Sequence, residues 1–215
     1  MNEIKTLKFA YWVGVAQSDG YFKEYYDKKR KQTSFIISLK VGKKSLPMLK
    51  NFIEISKKYL NRESAIFKNK MEVWECHIGV KKLLNLFKSL DIKFSDPPIP
   101  PNWIIKDSNL FGSYLAGLID GDGDVRIKRP KHPQCVIRIS SYKPQFELAE
   151  KIRKMLKCKV SISKRIKFIR HKWYSLEFYV SKKNYAFIQK FVIPFIKLSY
   201  KADKIQNFIN SKKIE

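Results

Sequence analysis

Histidine and cysteine are scarce in this chain, with three of each in 215 residues. Cys76, Cys135 and Cys158 are odd in number and lack metal-ligand spacing, so they read as reduced, buried thiols of an intracellular protein. His77, His132 and His171 are scattered, with no acid or second histidine at metal spacing. The eight glycines form no phosphate-cradling loop, and neither a Gly-x-Ser-x-Gly elbow nor a cysteine pair is present, which argues against nucleotide-binding and acyl-transfer enzymes. No run approaches the roughly 18–20 apolar residues of a membrane span. The N-terminal "FAYWVGVA" is too short and leads into Ser18-Asp19-Gly20, so no signal peptide is expected. The largest deficit is in negative charge. Against 45 Lys+Arg stand 19 Asp+Glu, a net +26 with a pI near 9.9. Such an excess repels itself in a compact chain unless a polyanion accompanies it. Nucleic acid is the first candidate and a membrane surface the weaker one.

What is present is a foldable and repetitive chain. A hydrophobic fraction of 44% with 14% aromatics excludes disorder, and the length suits one large domain or two small ones. Asp19 and Asp122 lie 103 residues apart, and at that offset "WVGVAQSDG" (Trp12–Gly20) falls on "LAGLIDGDG" (Leu115–Gly123). After each Asp-Gly, alternation predicts two strands, an amphipathic helix, a hairpin and further helix. In the first half these are Tyr21–Lys29, Thr33–Val41, helix Pro47–Tyr59, the hairpin Ala65–Lys68 with Val73–Val80, and helix Lys82–Leu90. In the second they are Val125–Arg129, Cys135–Ser140, helix Gln145–Lys157, the hairpin Val160–Ile169 with Trp173–Val180, and helices Tyr185–Phe195 and Ala202–Asn210. "SDPPIPPNW" (Ser95–Trp103) separates the halves, and its four prolines admit neither helix nor central strand. The expected organisation is a first half over 1–94, a stiff linker over 95–107 and a second half over 108–215.

The helix expected over Tyr114–Gly123 places Gly117 and Gly121 four residues apart, as Gly14 and Ser18 are in the copy. Small residues at that spacing let two helix backbones approach closely. Gly20 and Gly123 suit the left-handed position that ends a helix. Asp19 and Asp122 then fall at helix C-termini, where the macrodipole disfavours a carboxylate, and side-by-side packing brings the two carboxylates together. A divalent cation with oxygen ligands, Mg²⁺ above all, would compensate. In two-metal sites such ions stabilise the attacking and leaving oxygens of an in-line phosphoryl displacement.

"LAGLIDGDG" at Leu115–Gly123 resembles the motif that names the LAGLIDADG homing endonucleases, and "WVGVAQSDG" resembles a degenerate first copy. The likeness is to the single-chain, two-motif branch and spans the chain in element order. It implies an α+β fold of two pseudo-symmetric αββαββα halves, with the motif helices at the central interface and two antiparallel sheets forming a DNA-binding saddle. It implies a monomeric, Mg²⁺-dependent endonuclease that cuts each strand of a long pseudo-palindromic duplex, with two or three divalent ions over Asp19 and Asp122. Asp120 matches the motif's earlier, structural acid, and Gln17 replaces it in the first copy. "LSYKADK" resembles the stretch that supplies a lysine beside the metal centre. Lys201 is therefore the second-half catalytic candidate, with Lys43 and, more weakly, Lys93 in the first half.

Alternation supplies the DNA-facing set. On the first half it comprises Lys23, Tyr25, Asp27, Lys29, Ser34, Ser38 and Lys40, with Lys68 and Lys70 from the hairpin. On the second it comprises Arg126, Lys128, Arg138 and Ser140, with Lys164, Arg165, Lys167, Arg170 and Lys172. A two-stranded ribbon fits the major groove, where long polar side chains read base edges. The alternatives are an intron RNA maturase or non-cleaving DNA-binding relative on the same scaffold, and a basic scaffold that binds structured RNA by shape. A prokaryotic cytoplasm or an organelle matrix would suit any of them.

Overall fold

The structure, a computed structural model, describes residues 2–28, 31–69, 72–167 and 171–214. A 3-10 turn at Asn2–Ile4 precedes α1 (Leu7–Ser18), β1 (Gly20–Asp27) and β2 (Gln32–Val41). A turn at Lys43–Ser45 opens α2 (Leu46–Leu60), followed by β3 (Phe67–Lys68), β4 (Trp74–Gly79), a turn at Lys81–Leu83 and α3 (Leu84–Ser89). The one-turn helix α4 (Asn102–Ile105) leads to α5 (Ser108–Asp120), and the order then repeats. It runs through β5 (Gly123–Lys128), β6 (Gln134–Ser141), α6 (Phe146–Leu156), β7 (Val160–Lys167), β8 (His171–Val180), α7 (Tyr185–Phe187) and α8 (Ser199–Ile214). Two four-stranded antiparallel sheets result, in the matching orders β1-β2-β4-β3 and β5-β6-β8-β7. The fold is α+β and two-halved, as the repeat predicts.

The motif helices form the centre. Thr6 Oγ1 caps α1 by accepting from Phe9 N–H at 3.2 Å, and Asp107 Oδ1 caps α5 by accepting from Asn109 and Leu110 N–H. Every residue from Phe9 to Gln17 and from Phe111 to Asp120 is buried, as expected of helices enclosed on all sides. The two cross at their small residues. An added Cβ on Gly14 would strike the Tyr114 carbonyl oxygen, and one on Gly117 would strike that of Tyr11. Trp12 extends the core sideways, stacking on Phe52 with ring centroids 5.0 Å apart and donating its Nε1–H to Ser56 Oγ at 2.8 Å.

Several expectations need correction. Among the described residues no glycine has positive φ, so Gly20 and Gly123 are not left-handed stops. They begin β1 and β5, where an added Cβ would collide with the Ala16 and Ile119 backbones. The helix expected at Tyr114 begins at Ser108 and ends at Asp120. Between Tyr185 and Phe195 the chain does not run as one α-helix, but widens into a π turn at Ile188–Val192 and tightens at Ile193–Phe195. The proline-rich segment does not stand free as a spacer. Pro98, Pro100 and Pro101 are buried, and Gln17 Nε2 donates to the Lys93 and Ile99 carbonyls at 2.7 and 3.0 Å.

Because the helix crossing leaves no room for a methyl, Gly117→Ala is expected to destabilise the protein by about 1–3 kcal/mol through forced backbone displacement. Chemical denaturation with an unchanged m-value would measure it.

Candidate active site and nucleic-acid interface

Crossing at Gly14 and Gly117 fixes where the helix ends fall. Asp19 caps α1, its N–H donating to Val15 O at 3.1 Å. Asp122 follows the Gly121 cap of α5. Ser18 and Gly121 meet between them, so closely that a Cβ on Gly121 would overlap Ser18 Oγ. Both aspartates line one cavity of about 780 Å³, and neither carboxylate accepts a hydrogen bond from the described residues. Asp19 is half-buried and Asp122 reaches solvent, yet both stand in a concavity walled by protein. Loss of hydration there pushes the Asp19 carboxyl up to about 6, against the pull of Lys201 and with Asp120 adding to the rise. The same cause pushes Asp122 up to about 7, with Asp19 and Asp96 adding and Lys201 opposing.

Below the pair lies a reciprocal polar lock. Tyr11 on α1 donates to Asp120 Oδ2 on α5, and Tyr114 on α5 donates to Gln17 Oε1 on α1, both at 2.7 Å. Asp120 also accepts from the backbone N–H of Lys197 at 2.6 Å and of Leu198 at 3.3 Å. Gln17 inverts the polarity, donating to the carbonyls of Lys93, at the end of the first half, and Ile99, in the proline-rich segment. The acid-to-amide replacement thus matches the backbone groups each loop presents.

Lys201, 6% exposed, donates its Nζ to the Ile119 and Asp120 carbonyls at 2.7 and 2.9 Å. It thereby neutralises the C-terminus of α5. Burial lowers its pKa against the fields of Asp120, Asp19, Asp124 and Asp122. The other two lysine candidates are elsewhere. Lys43 is exposed in the turn before α2, and Lys93 is exposed and 3.7 Å from the Asp91 carboxylate. None of the three lysines lines the cavity, but Lys201 alone among them acts on the fields at Asp19 and Asp122. At the repeat offset, Pro98 stands where Lys201 does. Sequence reasoning missed Asp96, which lines the cavity beside Asp122 and accepts from Tyr142 N–H at 2.7 Å. No motif marks it, because that bond spans 46 residues.

The sheets turn one face to the helices and leave the other open. Cross-strand pairing places Tyr21, Lys23 and Tyr25 with Ser38, Ile36 and Ser34 on the open face of the first sheet, with Lys40 beside them. Arg126, Lys128, Arg138, Ser140 and Arg165 share the open face of the second. Lys68 and Lys164 do not belong with them. Lys68 pairs with Trp74 and lies over its ring at 5.9 Å, bonded to Glu72, and Lys164 pairs with Tyr174, so both alternate to the helix side. Lys172, opposite Ile166, lines the central cavity. Asp27 and Lys167 fall within β1 and β7, whereas Lys29, Lys70 and Arg170 lie outside the described residues. The acids among the cations were also missed, although alternation could have found them. Asp124 shares a face with Arg126, and Glu75 bonds His77 Nε2 at 2.7 Å and pairs with Lys40 at 3.3 Å.

Residues 112–192 match the sequence model of a family described as the LAGLIDADG-like domain. No curated protein matches the chain by sequence. Among solved structures, I-DmoI in complex with DNA and Ca superposes with a TM-score of 0.56 at 16% identity, over 87% of this chain and 90% of that one. The I-LtrWI LAGLIDADG homing endonuclease bound to target DNA gives 0.56 at 15% identity, over 97% and 92%. The N-terminal LAGLIDADG domain of DUF199/WhiA gives 0.53 at 13%, over 86% and 82%. The fold is therefore that of the two-domain LAGLIDADG homing endonucleases. The stretch from Gly112 to Val192, which contains the Leu115–Gly123 motif, is similar to a LAGLIDADG-like domain, in keeping with the resemblance carried by that motif. Among the described residues no helix is long and apolar enough to cross a membrane.

A carboxyl pKa higher in the folded than in the unfolded chain means that, between about pH 4 and pH 7, the folded state holds protons the unfolded state has lost. Stability contributed by Asp19 and Asp122 therefore falls as pH rises through that window. In chelator, Asp122→Asn should raise the melting temperature at pH 8, with the gain shrinking toward pH 5.

Proposed function

We propose that the protein is a site-specific double-strand DNA endonuclease that uses divalent cations, Mg²⁺ in the cell, at Asp19 and Asp122. The observation that supports it most is the convergence, at the tips of packed helices, of two carboxylates without hydrogen-bond partners among the described residues, in a chain of net +26. The residues fit such ions. Carboxylate oxygens that reach a cavity are hard ligands, and among the described residues no group of three or more His, Cys, Asp or Glu could hold a metal unaided. The remaining ligands would then be water and DNA phosphate, the pattern Mg²⁺ favours. The I-DmoI complex named above contains Ca, and another I-DmoI complex, with nicked target DNA, was obtained in Mn. When bound, such ions lower the pKa of the attacking water and stabilise the departing oxygen.

The chain's own residues supply the rest. The two carboxylates sit side by side, so phosphates of both strands can be addressed from one centre. The Tyr11–Asp120 and Tyr114–Gln17 bonds hold that centre rigid. Lys201, buried behind the cavity with two of its donors on helix carbonyls, retains a third N–H and adds a positive field at Asp19 and Asp122. Lys43 and Lys93, exposed and not lining the cavity, are assigned phosphate contacts rather than a place beside the carboxylates. The open faces of the two sheets engage the duplex on either side.

Asp19→Asn and Asp122→Asn should each reduce scission in Mg²⁺ by at least about 100-fold while leaving duplex affinity in Ca²⁺ near the parent value. Cleavage selection on a host-derived duplex library reads the first and filter binding the second. Undiminished cutting of both strands by either variant would remove that residue from the mechanism. Tight binding by the parent without scission in Mg²⁺ would make the chain a non-cleaving binder, and preference for structured RNA over duplex would make it a maturase or RNA-binding scaffold.

A further inference from the structure

The open faces of the two sheets differ in chemistry. The second carries Arg126, Arg138 and Arg165 with Lys128, whereas the described residues of the first carry no arginine but Lys23, Lys40, Tyr21, Tyr25, Ser38 and His77. Each of the three arginines is also ion-paired. Asp124 accepts from Arg126 Nε and, at 2.9 Å, from an Arg138 terminal nitrogen. Glu177, 8% exposed, accepts from Lys128 Nζ at 2.9 Å and from an Arg165 terminal nitrogen at 3.1 Å. Two carboxylates thus clamp four cations in one ordered array on β5, β6, β7 and β8.

Neutralising phosphates does not require this. Mobile lysines suffice for the electrostatic attraction, and acids on a DNA-facing surface weaken it. The clamps do two other things. They order long side chains before a ligand arrives, which removes part of the entropy loss of binding. They also occupy part of each guanidinium. Exposed N–H groups remain on Arg126 and Arg165, and on Arg138, whose Nε is buried, the terminal nitrogens remain for an acceptor. Guanine O6 and N7 in the major groove form the acceptor pair that a planar guanidinium matches. An eight-residue strand such as β6 extends about 26 Å, or roughly seven or eight base-pair steps, so the array lies along one half of a target.

We propose that the second sheet reads guanine-bearing base pairs in one half of the target through Arg126, Arg138 and Arg165, with Asp124 and Glu177 as the residues that position them. The first sheet reads the other half through hydroxyl, lysine and aromatic contacts. The target is therefore unequal in its halves although the protein is pseudo-symmetric. This rests on the duplex-DNA reading given above and specifies its substrate.

The test is a binding selection in Ca²⁺ at fixed salt on a duplex library randomised across both halves. It compares the parent with Arg126→Lys, Arg138→Lys and Asp124→Asn. The parent should enrich guanine in one half. Each lysine variant keeps the charge and loses the fork, and should lower the guanine preference at one or two positions of that half by about 10-fold, leaving the other half as it was. Asp124→Asn should lower the preference at the positions belonging to both arginines, a pattern that loss of stability alone would not produce. Guanine spread evenly over both halves, lysine variants that select the parent motif, or an Asp124→Asn variant that melts earlier yet keeps the motif would each overturn the proposal. No enrichment of any duplex by the parent would overturn the endonuclease reading together with it.

Discussion

Two helices pressed together with no side chain between them are the constraint on which the rest depends. Gly14 and Gly117 each lie against a backbone carbonyl of the opposite helix, so α1 and α5 can cross at one place only. That crossing sets the separation of their C-terminal tips and hence of Asp19 and Asp122. Glycine within a helix weakens it by about 0.5–1 kcal/mol relative to alanine. Burial of both helices along nearly their whole length offsets this, since apolar burial contributes about 25 cal/mol per Å².

Carboxylates placed at such tips are electrostatically disfavoured, and the molecule manages this unevenly. At α5 the buried Lys201 satisfies two terminal carbonyls. At α1 no lysine among the described residues takes that position, and the cavity wall near Asp122 carries Asp96 from the proline-rich segment. The polar lock beneath is symmetric in position and opposite in polarity, with an acid receiving backbone N–H groups on one side and an amide giving to carbonyls on the other. Duplicated architecture therefore coexists with two chemically distinct flanks, and the same holds for the open sheet faces.

Much of this was legible in the linear chain. The repeat at Asp19 and Asp122, the small residues preceding them and the alternation after them give the halves, the central helices and the strand faces. These are short-range signals, each carried by residues within one or two turns or along one strand. Element ends were read less well. Capped by Asp107, α5 starts at Ser108, six residues before the point suggested by the motif. A glycine after a helix usually forms a turn, whereas at Gly20 and Gly123 close strand–helix contact requires it. Lys68 and Lys164 were placed on the wrong face because lysines were read by composition rather than by register.

The sequence by itself determined an α+β chain of two copies, strongly cationic, with an acid at the end of each central helix. Periodicity and composition are local properties that survive without a fold. Only the tertiary structure decided that Lys201 reaches the α5 carbonyls across 81 and 82 residues, that Asp96 joins the cavity, and that Tyr11 and Tyr114 exchange bonds with Asp120 and Gln17 across 109 and 97. Such partners depend on how distant segments are brought together by packing, and no spacing along the chain encodes them.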